Sequence, residues 1–327
     1  MKQKIKSITF IGGTGASVIG EAAKKNKNWS VNLLVSLVDD GGSTGRLMRD
    51  LNIPPVGDIR KALTALSTLK KELSLSFEHR FPKGELKGHT MGNIFLSALI
   101  QQTKNLNLSI QHAKNLLKVQ GDVLTTTLKP TKLKTEFSSG QTIIGEDNLD
   151  ENKDKTIGSP VKYELIKDSP ANPKAVKRLL NSDYIVIGPG DLGANSIAPL
   201  LTKGIKNAVQ KSKAKLIYIA NLMTKLGETH AFSVNDCLNL IEQTLDRKFD
   251  FIILNNKKPP KNLLLAYQKQ EEYPMQFDIK ALKAKKAKIV ETDLLNKNIY
   301  QKPKSDPLRR SLIRHDGAKT TKILKKI

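Results

Sequence analysis

Short apolar runs broken by glycine set the pattern of this chain. Ser7 to Ile11, Val31 to Val38, Tyr184 to Ile187, Leu216 to Ala220 and Phe251 to Leu254 are rich in apolar, mostly β-branched or leucine residues at successive positions. Such runs are expected of strands covered on both faces. Between them apolar residues recur at helical spacing: Val18, Ile19 and Ala22; Ile59, Leu63 and Leu66; Ile94, Leu96, Ala98 and Leu99; and again from Val234 to Leu245. Strand and helix therefore alternate, which predicts an α/β fold with an open parallel sheet. Four or five of the strands end in small, polar residues. In such a sheet those ends share one edge, where ligands bind near the point at which strand order reverses.

From Lys118 to Tyr163 the pattern changes. Val123, Leu124, Leu128, Leu133 and Phe137 lie among threonines and lysines, and Gly140, Gly145 and Gly158 punctuate short β-prone runs. This predicts a β-rich insertion over 117–180 beside a core made of 1–116 and 181–327. Within it, Glu146 to Lys155 is polar and charged and reads as a loop without chemistry.

With 327 residues the chain can bury a large core. The longest apolar runs are about eight residues, too short for a bilayer, so no membrane span is expected. The start, MKQKIKSITF, has a basic lead, but the glycines at 12, 13 and 15 break the apolar run and favour a structural strand over a leader. The one cysteine, Cys237, cannot pair within the chain, and a cytoplasmic protein is the expectation. A net charge of +24 raises nucleic acid as a partner. The excess is mostly lysine along the whole chain, aromatics are 5%, and no recognition-helix or zinc-finger motif is present. The densest basic stretch is C-terminal, from Lys280, Lys283, Lys285, Lys286 and Lys288 to Arg309, Arg310, Arg314, Lys325 and Lys326. A solvated lysine surface, with no nucleic acid, is the expectation.

The chemistry gathers in the glycine loops. DDGGSTGR follows the second strand: Gly41, Gly42 and Gly45 let the backbone approach a ligand, and Arg46 offers a planar donor suited to phosphate or carboxylate. Asp58 is placed to cap the next helix. Gly12, Gly13, Thr14 and Gly15 turn the first strand into a helix N-terminus, an arrangement that binds phosphate or serves as a plain turn. The dinucleotide fingerprint is incomplete, because its third glycine is Val18, and no P-loop signature follows either loop. His89 and Asn93 open a later helix as ligand contacts or caps. Gly188, Pro189 and Gly190 follow the strand at 184–187, with Asn195 and Ser196 placed to cap the helix Ile197 to Leu201.

The segments IGGTGAS, SLVDDGGSTGRLMRDLNIPPVGDIRKAL, GHTMGNIFLSAL, VIGPGDLG, NLMTKLGET and LIRHD resemble the CofD/YvcK family, and more closely its YvcK branch, the gluconeogenesis factors. They span nearly the whole chain, so the resemblance implies one CofD-like domain over 1–327 with a Rossmann-like, doubly wound core. It also implies binding of uridine-diphosphate amino sugars, with links to cell shape, cell-wall precursor supply and gluconeogenic growth. Gly12, Gly13, Thr14 and Gly15 would contact a diphosphate, with Gly188, Pro189 and Gly190 on the opposite wall. Asp39, Asp40, Gly41, Gly42 and Arg46 match the most distinctive motif, and Asn93, Asn221, Thr224, Glu228 and Arg314 fall in matching motifs. The chain departs from the family at Ile11, at Gly193 to Ser196 and at Cys237, which leaves its ligand choice open.

Three functions are set against one another. The first is a regulatory protein that binds a nucleotide sugar, as a monomer or homo-oligomer; no paired nucleophile and base is visible in the sequence. The second is a metal-dependent transferase of a phospholactate-type group, in which Asp40, with Asp39 or Asp58, would hold Mg2+ through carboxylate oxygens, Asp40 being the catalytic candidate. The third is a nicotinamide-dependent oxidoreductase with Asp39 or Asp40 on the ribose, and Val18 counts against it.

Overall fold

The computed structural model describes residues 5–302 and 310–327; Arg309 of the basic stretch lies outside them. Strand β1 (Lys6–Ile11) turns at Gly12 and Gly13 into α1 (Thr14–Ala23), and β2 (Trp29–Val35) leads to α2 (Gly42–Leu51) and α3 (Gly57–Leu66). Three helices follow, α4 (Lys71–Glu78), α5 (Met91–Thr103) and α6 (Leu106–Leu116), before β3 (Asp122–Thr125). Next come β4 (Leu133–Phe137), β5 (Thr142–Ile144), the short α7 (Glu146–Glu151), β6 (Pro160–Leu165) and α8 (Pro173–Leu180). After β7 (Tyr184–Ile187), a π-helical turn over Leu192–Ile197 runs into α9 (Ala198–Leu201) and α10 (Lys203–Lys211). The remainder is β8 (Lys215–Ile219), α11 (Val234–Leu245), β9 (Phe251–Asn255), α12 (Lys261–Gln268), α13 (Ile279–Lys283), β10 (Lys288–Thr292) and α14 (Gly317–Leu324).

Seven strands form the main sheet in the order β10-β9-β8-β7-β1-β2-β3, every neighbouring pair parallel. From β1 the chain winds outward through β2 to β3, then returns to β7 and winds the other way. The reversal between β1 and β7 is the switch point of a doubly wound sheet. Side-chain alternation explains the unbroken apolar runs. Phe10, Leu33, Val186, Ile217 and Ile253 point into one helical layer, and Leu34, Ile185, Ile187, Leu216 and Ile252 into the other. Helix α1 packs with α3 and α14 on the first face, whereas α8, α10 and α9 pack in sequence on the second. Among the described residues no helix is long and apolar enough to cross a membrane.

The antiparallel part is narrower than 117–180. Its three strands, in the order β5-β4-β6, span Leu133–Leu165, while β3 is the edge strand of the main sheet and α8 packs on the main layer. Phe137, Leu133 and Tyr163 join Leu192 and Ile197 in the second core. Gly193 has Tyr163 against it: a Cβ there would stand 2.6 Å from the Tyr163 ring. The sheet edge at β10 goes unread in the sequence, because its residues are half-buried and follow a lysine-rich run.

Because Phe137 is buried in a core shared with the main layers, Phe137→Ala should lower the unfolding free energy by about 3 kcal/mol in a single urea transition. A separate early transition would show that the small sheet folds independently.

Candidate functional site

A cavity of about 620 Å³ lies outside the C-terminal ends of β1, β2, β7 and β8. Its floor is the contact between two glycine loops. A Cβ on Gly15 would stand 2.4 Å from the Pro189 carbonyl oxygen, and one on Gly13 would stand 2.3 Å from Asn195 Oδ1. The glycines at 13 and 15 are therefore required by close packing, and it is Thr14, Gly15, Pro189 and Gly190 that reach the cavity surface. Gly12, Gly13 and Gly188 lie behind them. Asn221 locks this wall: its Oδ1 accepts from Gly190 N at 3.1 Å and its Nδ2 donates to the Gly190 carbonyl at 2.8 Å. Asn195 and Ser196 do not cap a helix; they lie inside the π-helical turn, with Asn195 Nδ2 donating to Asp191 at 3.2 Å.

Asp39 and Asp40 diverge, as consecutive residues must. Asp39 lines the cavity and accepts from Gly41 N at 3.1 Å. Asp40 faces the insertion, where it accepts from Asp147 N at 3.0 Å and pairs with Lys132 at 3.5 Å. The role expected of Asp40 toward a reacting group or metal has no support in that geometry. Arg46 also turns away, donating to the Lys87 carbonyl at 3.1 Å, and Gly42 stays off the cavity surface while Gly41 lines it. Asp58 caps nothing. It lies one residue inside α3 and pairs with Lys61 at 3.2 Å, and Lys61 Nζ donates on to Thr14 Oγ1 at 2.7 Å. Thr90, not His89 or Asn93, caps α5.

The C-terminal motif closes another side. Tyr267 Oη accepts from Leu312 N at 2.8 Å and Ile313 N at 3.0 Å. His315 Nε2 lies 3.0 Å from the Ala220 carbonyl, and burial holds its imidazole down at about 4, so it donates as a neutral ring. Arg314 lines the cavity with its guanidinium 3.3 Å from the centre of the Tyr300 ring. Thr224 is fixed by Tyr273, whose N donates to Thr224 Oγ1 at 2.9 Å.

The stretch read as a featureless loop holds much of the site. Residues 146–151 form α7, and Glu146 and Asp150, four apart, face inward from the same side. That i, i+4 pairing after Gly145 was the available signal. Their carboxylates gather with Asp191, each offering an oxygen within 4.8 Å of the others. Lys225 fills the space between, bonded to Asp150 and, at 2.9 Å, to Asp191. Burial first, then Asp39 and Asp150, hold the Glu146 carboxyl well above the usual range. Burial opposes charge on Lys225 and Asp191 too, but each holds the other in its charged form. Burial pushes Glu228 up to about 7 against the pull of Lys225, while it accepts from Gly193 N at 2.7 Å. Hard carboxylate oxygens suit Mg2+ in kind, yet at this trio the lysine ammonium already has the cation's place. The trio as it stands does not fit a resident divalent ion.

The opposite wall is basic. Arg60, buried, pairs with Glu78 at 3.2 Å and donates to Thr90 Oγ1 at 2.5 Å and Asn93 Oδ1 at 3.2 Å. The N-termini of α1, α2 and α3 border the same space through Thr14, Gly15, Ser43, Thr44 and Gly57. Their unpaired first-turn N–H groups and dipoles favour an anion. Neither Arg60, Lys61 nor Lys225 stands out in the sequence, because basic residues are common along all of it.

A family profile described as 2-phospho-L-lactate transferase CofD matches residues 8–295. The gluconeogenesis factor of Bacillus subtilis strain 168 is 32% identical over 99% of this chain and 98% of its own length. That of Halalkalibacterium halodurans is 34% identical over 87% of each. A crystal structure of a Bacillus halodurans protein of the UPF0052 family superposes with a TM-score of 0.89 at 29% identity, covering 98% of this chain and 99% of that one.

Burial, then the Asp58 carboxylate, raise Asp39 to about 6, with Lys61 opposing. The folded chain therefore holds a proton there that the unfolded chain has lost, and stability falls as pH rises from about 4 to about 6. Asp39→Asn should remove that share, on the order of 1 to 3 kcal/mol, so that its unfolding free energy falls less between pH 4.5 and 7.5 than the parent's. Equal pH slopes in chemical denaturation would contradict it.

Proposed function

This chain belongs to the CofD family, and we propose that within it the protein is a nucleotide-sugar-binding regulator, with a ligand of the UDP-N-acetylglucosamine type. The observation that carries this reading is the polarity of the cavity at the switch point. Three helix N-termini, Arg60 and Lys61 line one wall, suited to a diphosphate. Across from them Asp39, Glu146, Asp150 and Asp191 present acceptors, suited to sugar hydroxyl and amide donors. Tyr300 with Arg314, Tyr267 and Met223 supplies a flat, partly apolar face on which a base can stack. The name shared by its relatives, gluconeogenesis factor, points such a regulator toward carbon metabolism, and Lys225 makes the acidic wall self-neutralised without added metal.

The second reading, transfer of a phospholactate-type group from an activated nucleotide with Mg2+, draws on the same acidic wall and the family's description. Asp39 and Asp58 face the cavity in it, and Asp40 does not.

Calorimetric titration with UDP-N-acetylglucosamine, GDP and NADH, each with and without Mg2+, separates the two. Micromolar binding of the UDP-sugar alone, indifferent to Mg2+, is expected; Mg2+-dependent binding of GDP alone would replace the regulator by the transferase. Lys61→Ala removes a charged donor from the phosphate wall and should weaken UDP-sugar binding by about 1.5 to 3 kcal/mol. Unchanged affinity would move the diphosphate elsewhere.

A further inference from the structure

We propose that Ser43 and His89 form a nucleophile–base pair on the phosphate wall of the cavity, giving the protein a phosphoryl-transfer or hydrolytic activity toward a phosphoric anhydride. Ser43 Oγ lies 3.1 Å from His89 Nδ1. Forty-six positions separate them, and the fold brings them together where α2 meets the turn before α5. Ser43 belongs to the first turn of α2 and lines the cavity, whereas His89 stands behind it, away from the cavity surface.

Hydrogen-bond directions fix the polarity of the pair. Arg60 has only donors, so Asn93 Oδ1 must accept from it, at 3.2 Å, and Asn93 Nδ2 is left to donate to Ser43 Oγ at 3.1 Å. With one lone pair of Oγ engaged, the hydroxyl proton is directed at His89 Nδ1. His89 must then be neutral. Burial first, then the guanidinium groups of Arg46 and Arg80, hold its imidazole below the usual range, with Asp50 alone opposing. The first-turn N–H groups of α2 and the guanidinium of Arg60 lie on the same side, placed to receive charge on phosphoryl oxygens. A serine with a base in reach, an amide that orients its hydroxyl and donors for the developing charge are elements nucleophilic catalysis draws on.

The step balances without a further reactant. Ser43 Oγ bonds to phosphorus as the bond from phosphorus to the bridging oxygen breaks; the hydroxyl proton passes to His89 Nδ1 and the electron pair leaves on the bridging oxygen, which takes that proton. Water then bonds to the same phosphorus as the Ser43 Oγ–P bond breaks, and the proton the water gives up passes through His89 Nδ1 to Oγ. This inference rests on reading the cavity as a diphosphate site, which the titration above examines separately.

The probe is a fluorophosphonate, in which the same attack expels fluoride. Full-length protein should gain one adduct, mapped to Ser43 by peptide mass spectrometry, and His89→Gln, if it melts like the parent, should lose at least ten-fold in labelling rate. Excess UDP-sugar should protect Ser43. No adduct on Ser43 in folded protein, or an equal rate in His89→Gln, overturns the proposal, since a purely structural hydrogen bond would leave the serine inert. A second variant keeps the question answerable if the histidine change unfolds the chain. Cys237, the sole native cysteine, is 1% exposed with its thiol pushed up by burial, so in Ser43→Cys the introduced thiol is the one that iodoacetamide reads. It should alkylate at least ten-fold faster than a free cysteine in a small peptide at pH 7; a rate at or below the peptide's overturns the proposal. A chain that labels at Ser43 but binds no UDP-sugar keeps the pair and loses the nucleotide-sugar reading.

Discussion

The contact between two backbones at the switch point is the constraint on which the rest of this structure depends. Where β1 and β7 end side by side, the Thr14–Gly15 turn and the Pro189–Gly190 loop approach so closely that no side chain fits at position 13 or 15. That approach aims the N-terminus of α1 across the sheet edge. It also seats Gly190 where Asn221, from the end of β8, can hold it by a reciprocal pair of hydrogen bonds. Three strands thus share one rigid floor, and the cavity inherits its position from them. A methyl group at Gly15 would have to push the Pro189 carbonyl aside, parting the loops that carry Thr14 and Asp191.

Above that floor the charges are sorted rather than mixed. Four carboxylates on one wall would repel one another and any phosphate. Lys225 offsets them from within and keeps Asp191 ionised, while burial and the neighbouring Asp39 and Asp150 hold Glu146 toward its neutral form. Asp58 is similarly tied to Lys61, whose ammonium also reaches Thr14. The result is a ligand space with a near-neutral acceptor wall and a donor wall, and a bound molecule must carry its anion at one end only. An unattached divalent ion would first have to displace a buried ammonium that bonds two of the three acids it needs.

How much of this the sequence disclosed follows from the range of each interaction. Strands covered on both faces and α11, from Val234 to Leu245, announce themselves through local periodicity, and the glycine loops at strand ends mark the sheet edge where the cavity lies. Orientation was beyond reach. Asp39 and Asp40 look alike in a string of letters, yet one faces the cavity and the other binds the N–H of Asp147 across 107 residues. Asp58 looked like a cap because α3 starts at Gly57, two residues before the first position of its apolar pattern, Ile59. Lys225 was hidden by abundance, one lysine in a chain of net charge +24, and its meaning comes wholly from the acids that α7 and the loop after β7 bring to it.

The same reasoning bears on the buried string from Glu78 through Arg60 and Asn93 to Ser43 and His89. Placing an arginine, an amide, a hydroxyl and an imidazole together out of water costs desolvation that hydrogen bonds do little more than offset. Apolar residues of similar volume would pack α2, α3 and α5 together about as well. Stability alone therefore gives little reason for a polar junction here, between three helices that already bury Leu63, Leu66 and Leu96. What the string supplies that leucines would not is direction: a guanidinium that fixes an amide, an amide that fixes a hydroxyl, and a neutral imidazole at the end of the line to take its proton. Such order is expensive in a binding pocket that needs only donors, and it is the arrangement a reactive serine would need.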